Sequence, residues 1–133
     1  MAPAQASLLA KLDTQQRVRD FLTNAIASGR ASHAYLFLGA LGAGKLDAAW
    51  ALAQAFLCEQ DGCGSCDGCV RVARHTHPDV HYYTPESATG YLIAQTRELL
   101  DDVPLAPIRA KAKVYIIDRA EQLRANTANA LLK

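Results

Sequence analysis

The chain has 133 residues, of which 50% are hydrophobic, with 14 Lys and Arg against 13 Asp and Glu. This is enough chain for one domain with a substantial core, and the balanced charge gives no electrostatic sign of a nucleic-acid or anionic membrane partner. No stretch approaches the roughly 18 apolar residues of a membrane span, and the start lacks a signal-peptide pattern, so the sequence predicts a soluble cytoplasmic protein.

The first predicted elements are a helix over residues 15–28 and a strand over residues 34–38. Asp13 or Thr14 can cap the helix, and Gly29 can end it. The apolar residues at helical spacing, expected to share its buried face, are Val18, Phe21, Leu22, Ala25 and Ile26. The run AYLFL is typical of a strand that is covered on both faces.

A glycine-rich segment comes directly after this run and leads into a helix predicted over residues 45–57. Residues 39–46 read GALGAGKL, which fits the phosphate-loop pattern G-x-x-x-x-G-K. In such a loop, backbone N–H groups surround the phosphates, and the lysine and the helix N-terminus supply positive charge. The candidate nucleotide-binding residues are Gly39, Gly42, Ala43, Gly44, Lys45 and Leu46. The alternative is a glycine-rich turn without a ligand.

Two residues of this segment weaken the expected nucleotide site. Leu46 stands where the motif has a serine or threonine whose hydroxyl binds magnesium. Asp47 adds a negative charge in the first helical turn, which repels phosphate. Binding of ATP or ADP is therefore expected to be weak.

A cysteine cluster follows the glycine loop and its helix. Disulfides are disfavoured without a secretion signal, and the spacing C-x4-C-x2-C-x2-C with interspersed glycines favours one metal site. The predicted ligands are Cys58, Cys63, Cys66 and Cys69. Four thiolates fill a tetrahedral zinc shell and leave no position for a catalytic water, so the predicted Zn²⁺ site is structural. Unliganded buried cysteines and redox chemistry are the alternatives. His75 and His77 are interpreted as surface or loop-capping residues, with replacement of one thiolate ligand as the alternative.

Further elements alternate in the second half of the chain. A short helix over residues 70–74, a strand over 80–83 and a helix ended by Pro104 are predicted. The residues that share one face of that helix are Leu92, Thr96, Leu99 and Val103. The tyrosines expected to pack in the sheet and helices, rather than stack on bases, are Tyr82, Tyr83 and Tyr91. This alternation indicates an α/β fold with a largely parallel sheet.

A third strand, predicted over residues 113–118, ends in Asp118. A Walker B aspartate holds magnesium from this place, so Asp118 is the last candidate residue of the degenerate nucleotide site. Hydrolysis also needs a second carboxylate to orient water, and the sequence has Arg119 there. No catalytic residue is therefore assigned. The alternative role for Asp118 is a helix N-cap.

The ordered segments HAYLFLGALGAGK, the cysteine quartet, THPDV, TRELLDDV, KVYIID and NTANALLK resemble the bacterial DNA polymerase III clamp-loader subunits of the gamma/tau family. The resemblance covers nearly the whole chain. It implies an AAA+ P-loop NTPase fold, with a RecA-like parallel sheet, helices on both faces and a zinc module inserted at residues 58–69. Residues 1–133 would be the N-terminal part of that domain, C-terminally truncated, since the predicted last helix, capped by Asn126 or Thr127, has no stop signal.

Within this family, the motor subunits carry GKT or GKS and an Asp-Glu pair, whereas this chain has Leu46 and Arg119. These departures and the segment His77-Pro78-Asp79 favour the delta-prime type. The resemblance implies a non-hydrolysing scaffold that acts in DNA replication and helps load the sliding clamp on primed DNA. The implied partners are the gamma/tau and delta subunits, with the clamp and DNA reached through the complex. The chain would belong to a nucleotidyltransferase holoenzyme without being catalytic or an ATPase itself.

Two other functions are compatible with the sequence. One is an active gamma/tau-like ATPase motor that tolerates Leu46. The other is a zinc-dependent DNA-binding module, for which Arg71 and Arg74 supply few phosphate contacts.

The resemblance also implies a structural consequence for residues 34–38. In AAA+ sheets the first strand lies between the fourth and fifth strands, both of which would follow Lys133. We therefore expect rearranged pairing of this segment or association with another chain.

Overall fold

The structure is a computed structural model and describes residues 8–9, 12, 16–32, 34–40, 42–123 and 129. Its elements in chain order are α1 (Gln16–Ala27), α2 (Lys45–Leu57), α3 (Asp67–Ala73), β1 (Val80–Tyr83), α4 (Ile93–Asp102), β2 (Val114–Ile117) and a 3-10 turn (Ala120–Gln122). The predicted caps Asp13, Thr14, Asn126 and Thr127 lie outside the described residues. Within the described ranges, every helix is too short or too polar to cross a membrane.

Two short strands form a parallel sheet. Val80 pairs with Val114, and the register continues to Tyr83 opposite Ile117. One further hydrogen bond extends the pairing past the C-terminal ends of the strands: the Asp118 amide donates to the carbonyl of Tyr83 at 2.8 Å. The prediction of a mixed α/β protein with a parallel sheet is confirmed at this level.

The predicted strand over residues 34–38 does not form among the described residues. Tyr35 and Phe37 pack against the cluster between α1 and α2, whereas Leu36 and Leu38 are 73% and 85% exposed. The expectation of cover on both faces was therefore wrong. An apolar run supplies extended backbone, but a strand also needs a hydrogen-bonded neighbour. Rearranged pairing or association through this segment stays a prediction.

Helix α1 matches its predicted range within one residue at each end and stops in the expected way. Gly29 has φ +70°, its amide donates to the carbonyl of Ile26, and the Arg30 amide donates to the carbonyl of Ala25. These two bonds form a Schellman ending. Leu22 and Ile26 are buried as predicted, but Phe21 is 64% exposed because it lies at the margin of the face that meets α2.

Helix α2 is the centre of the fold. Its alanines at 48, 51 and 55 pack with Leu22 and Ile26 of α1. Trp50 and Ala53, on another side, pack with Val72 of α3 and Ile116 of β2. Small side chains let the neighbouring elements approach closely, so α2 joins the α1 side of the molecule to the sheet.

Helix α4 covers the sheet through a narrower face than predicted. Thr96 and Leu99 are buried, but Leu92 and Val103, at or beyond the two ends, are more than 40% exposed. The helix ends at Asp102, ahead of Pro104 as expected. The residues buried together with Leu99 are Tyr83 and Tyr91, which confirms their predicted packing role, whereas Tyr82, predicted to pack likewise, is 40% exposed.

Candidate functional site

The glycine loop forms a tight turn directly before α2. Gly42 and Gly44 have φ of +83° and +92°, values that L-amino acids with a side chain rarely adopt. Helix α2 begins at Lys45, and the Ala48 amide donates to the carbonyl of Gly44 at 3.0 Å. The order of loop and helix is therefore as predicted, although the preceding residues form no strand.

A cavity of about 670 Å³ opens at this loop. Its lining residues are Leu8, Leu12, Val18, Phe37, Leu38, Gly39, Ala43, Gly44, Lys45, Leu46, Asp47, Ala48, Trp50, Ala73 and His75. The walls are mainly apolar, and the charged lining residues are Lys45 and Asp47 in the first turn of α2. An anionic group would meet a lysine and a helix N-terminus there, opposed by the Asp47 carboxylate.

Leu46 has an apolar structural role at the position where the motif has a hydroxyl. It is partly buried and packs against the cluster of Trp50, Ala53, Val72 and Ile116. A hydrocarbon side chain in this place cannot coordinate magnesium. The substitution that weakens the phosphate loop therefore also joins α2 to α3 and the sheet.

Asp118 lies just past β2, as predicted, but its carboxylate faces other partners. Tyr82 and Thr84 donate their hydroxyls to Oδ2 at 3.1 and 3.4 Å. Asp118 is not a helix N-cap. The N-cap of the 3-10 turn is Arg119, which has φ +51° and separates Asp118 from the turn. Asp118 does not line the cavity at the glycine loop. The two motifs are connected through aromatic side chains, since the ring centroids of Tyr82 and Trp50 are 6.0 Å apart.

The four cysteines meet at one point. Their Sγ atoms all lie within 4.8 Å of one another, with Cys58 and Cys66 at 3.9 Å and Cys63 and Cys69 at 4.0 Å. Zinc–sulfur bonds of about 2.3 Å in a tetrahedron place sulfurs about 3.8 Å apart. The spacing therefore suits a tetrahedral metal ion, and the structure brings all four predicted ligands together.

Backbone amides point at three of these sulfurs. The amides of Gln60 and Cys63 donate to Sγ of Cys58, that of Cys66 donates to Cys63, and that of Cys69 donates to Cys66. The tight turns require left-handed backbone at Asp61, Gly62 and Gly64. Amide donors of this kind offset the negative charge of thiolates.

The electrostatics divide the cysteines into two pairs. The amides of Ser65 and Cys66 lower the pKa of Cys63 to about 6. Burial opposes ionisation of Cys58, but the amides of Cys63 and Gln60 outweigh it and lower the pKa of that thiol. Burial raises the pKa of Cys66 and of Cys69. Cys58 and Cys63 thus ionise more readily than an ordinary thiol and Cys66 and Cys69 less readily, and a bound cation would favour the thiolate form of all four.

The two histidines differ from each other. His75 is exposed and occupies the left-handed position that ends α3, with φ +59°, in agreement with a capping role. Its ring also stacks on Trp50, with centroids 3.8 Å apart. His77 is 8% exposed, so a surface role was wrong for it, whereas its bond to the loop backbone agrees with the loop-capping role. Its Nδ1 accepts the Asp79 amide at 3.0 Å, and burial lowers the pKa of the ring.

Asp79 and Gln54 are among the buried polar residues that sequence reasoning missed. The Asp79 carboxylate is 1% exposed and accepts the amides of Ile108, Arg109 and Ala110 at 2.5 to 2.7 Å. Gln54 is also 1% exposed and bonds to the backbone of Leu8 and of Cys69. The only local signal was a polar residue among alanines at position 54 and an acid directly before a strand at position 79.

Comparison with known proteins identifies the family. The family described as DNA polymerase III, delta subunit, matches residues 14–133. The delta' subunit of DNA polymerase III from Bacillus subtilis is 42% identical over 124 residues, covering 91% of this chain and 37% of that protein. The tau subunit from Escherichia coli K12 is 39% identical over 123 residues, covering 90% of this chain and 19% of that protein.

A gamma/tau subunit from Mycobacterium tuberculosis H37Rv is 35% identical over 123 residues, covering 90% of this chain and 21% of that protein. The chain thus spans between about a fifth and somewhat over a third of the length of these relatives. Because the family match extends over most of the chain, the chain belongs to the DNA polymerase III delta subunit family.

Proposed function

We propose that the chain is the N-terminal part of the nucleotide-binding domain of a DNA polymerase III clamp-loader subunit. It would act in DNA replication as a delta-prime-like scaffold and help place the sliding clamp on primed DNA. Its partners would be the other loader subunits, with the clamp and DNA reached through the complex in the cytoplasm. The names of the relatives, delta', tau and gamma/tau, support this assignment.

The observation that carries the non-hydrolysing part of the proposal is the environment of Leu46. Its side chain packs into an apolar cluster where a motor subunit would offer a hydroxyl to magnesium. The Asp118 carboxylate gives a second argument, because it accepts from Tyr82 and Thr84 and is followed by Arg119. Nucleotide could still reach Lys45. The hydroxyl that binds magnesium is missing at Leu46, however, and the carboxylate that orients water is missing at Arg119.

We also propose that the four cysteines hold a structural zinc ion. The donor set is four sulfurs at tetrahedral spacing, two with lowered pKa values, and it leaves no position for substrate. When bound, zinc would supply a cross-link between α2 and α3, because Cys58 follows α2 directly and Cys69 lies within α3.

A motor ATPase is the second candidate, favoured by the 39% identity to a tau subunit. An autonomous DNA-binding module has less support, because Arg71 and Arg109 both pair with Asp67 at 2.9 and 3.1 Å. Their charge is thereby partly neutralised, and binding normally uses several phosphate contacts.

The test is an ATPase assay of the subunit alone and of the assembled loader, with wild type and Lys45→Ala compared in each. We expect no magnesium-dependent turnover by the wild-type subunit alone and unchanged turnover of the loader containing Lys45→Ala. Arg97→Ala, an exposed change on α4, serves as the control. Turnover by the isolated subunit that Lys45→Ala abolishes would instead make the chain a motor.

A further inference from the structure

Helix α2 is joined to α3 by a buried side chain in its last turn. The Gln54 Nε2 atom donates to the carbonyl of Cys69 at 3.0 Å, and its Oε1 accepts the amide of Leu8 at 2.8 Å. Leu8 lines the cavity at the glycine loop. One amide group therefore links the backbone of a cysteine in the cluster to a wall of that cavity.

A second contact joins the same elements one helical turn earlier. Trp50 lies on α2 four residues before Gln54, and its ring stacks on His75 with an angle of 7° between the planes. His75 lies two residues after the end of α3, and its amide donates to the carbonyl of Val72 at 3.0 Å. Trp50 and His75 both line the cavity, so α3 and its ending support the first turns of α2 from the side of the cysteines.

Helix α3 depends on the cysteine cluster for its own position. It has seven residues, which is too short for a helix that is stable in isolation, and Cys66 caps its start while Cys69 lies inside it. A metal ion bound by these sulfurs would fix both ends of the Cys63–Cys69 turn. Its loss would release α3 and with it the partners of Gln54 and Trp50.

We propose that Gln54 and His75 are positioning residues that couple metal binding at the cysteines to the conformation of the glycine loop. This inference rests on the proposed zinc site and adds to it a connection to the cavity. Leu46 packs against the apolar cluster that contains Trp50 and Val72, which gives the same path a third connection. Loading of the metal would thus set how firmly the start of α2 and Lys45 are held.

Trp50 provides the first readout because it is the single tryptophan of the sequence. Zinc content is measured per chain, and Trp50 emission and hydrogen exchange of the amides at residues 43–50 are then followed before and after chelation. In the wild-type protein, zinc removal should shift the emission and speed exchange in this segment, and added zinc should reverse both changes.

Three variants separate the contacts. Gln54→Leu should bind zinc but lose the difference in exchange between its zinc-loaded and zinc-free forms. His75→Gly removes only the ring, since glycine accepts the left-handed backbone at φ +59°, and should lose the emission shift. His81→Ala is the control, because that ring stacks on Tyr115 instead, and it should respond like the wild type.

The outcomes distinguish this inference from the zinc site itself. Failure of the wild-type protein to bind zinc would overturn both. Binding of one zinc ion whose removal leaves emission and exchange unchanged would overturn the coupling alone. If Gln54→Leu does not fold, His75→Gly decides: retention of the full emission shift by that variant would contradict the proposed path through the ring stack.

Discussion

The Asp79 carboxylate is a buried polar group that closes the segment before β2. It holds three consecutive backbone amides, at residues 108–110, although it is almost completely buried. Burial alone would raise the pKa of this carboxyl group, but the three amide donors outweigh burial and lower it. The charged form is therefore the native one, and it fixes the segment before β2.

The first prediction concerns Asp79→Asn. The amide side chain carries no charge and turns N–H hydrogens toward backbone amides that themselves donate, so the free energy of unfolding should fall by about 2 kcal/mol. Urea denaturation followed by far-UV circular dichroism measures the change. Asp101→Asn, an exposed change in the last turn of α4, is the matched control and should stay within about 0.5 kcal/mol of wild type.

The same residue predicts a pH dependence. Because the folded pKa lies below the ordinary value of 3.8, the contribution is fully present above about pH 4. It is lost as the pH falls through the lower, folded value. The difference in stability between wild type and Asp79→Asn should therefore shrink on acidification below pH 4 and stay constant between pH 5 and 7. A difference that grows in acid would contradict this account.

Residue patterns predicted the cysteine cluster well but missed Asp79. Four cysteines with short spacing must lie near one another, so their meeting point follows from the sequence alone. Asp79 finds its partners about 30 residues further along, at positions that present only backbone amides. Amides carry no residue identity, and no pattern in the sequence marks them as partners. The same holds for Gln54, which bonds to the backbone of Leu8 and Cys69.

At the scale of elements, two glycines with left-handed backbone face different surroundings: Gly62 in the loop between α2 and α3, and Gly29 after α1. A Cβ at Gly62 would lie 3.3 Å from the Cα of Ala55 and would also require φ +97°. A Cβ at Gly29 would require φ +70° but would meet nothing within 4 Å. An alanine at position 29 would therefore cause backbone strain alone, whereas an alanine at position 62 would cause the same strain and a steric clash with Ala55.

The second prediction compares Gly62→Ala with Gly29→Ala. Both should lose about 1 kcal/mol of stability to the left-handed backbone. Only Gly62→Ala should also weaken zinc binding, because the loop must move away from α2 to make room. Competition titration with a zinc indicator measures the affinity, and equal affinities of the two variants would argue against a tight fit of the loop on α2.

Helices were easier to predict than strands in this chain. The range of α1 follows from its apolar spacing and from Gly29, which are local signals. The run at residues 34–38 has the composition of a strand, yet no described residue pairs with it, because pairing depends on a partner distant in sequence. β1 and β2 do form, since each is short, apolar and placed by α4 and its flanking residues.

At the scale of the molecule, a zinc ion held by the four cysteines would stabilise the fold as a whole. The third prediction is that a chelator lowers the thermal midpoint by at least about 10 °C, because structural zinc contributes on the order of 10 kcal/mol. Differential scanning fluorimetry measures the shift. Cys66→Ser, at an exposed position, should have a low midpoint that the chelator no longer changes. A midpoint in the wild type that does not respond to the chelator would exclude a structural metal.

The exposed side of residues 34–38 gives the fourth prediction. Leu36 and Leu38 present apolar surface and unpaired backbone on the same segment, which promotes association with a second chain. Sedimentation velocity should show concentration-dependent self-association that Leu36→Ser reduces. Ile108→Ser, an exposed change elsewhere, should leave association unchanged. A protein that remains monomeric at high concentration would disprove this expectation.

The parallel pairing of β1 with β2 has a consequence for the order of folding. The contacts among α2, the cysteine loop and α3 join residues close in sequence. Val80 and Val114, by contrast, are separated by the whole of α4 and can pair only when that segment has closed into a loop. Closing a long segment costs conformational entropy before its contacts form. The Asp79 bonds to residues 108–110 close this same segment. We therefore expect the cysteine half to fold early and the sheet to assemble in a later, slower step.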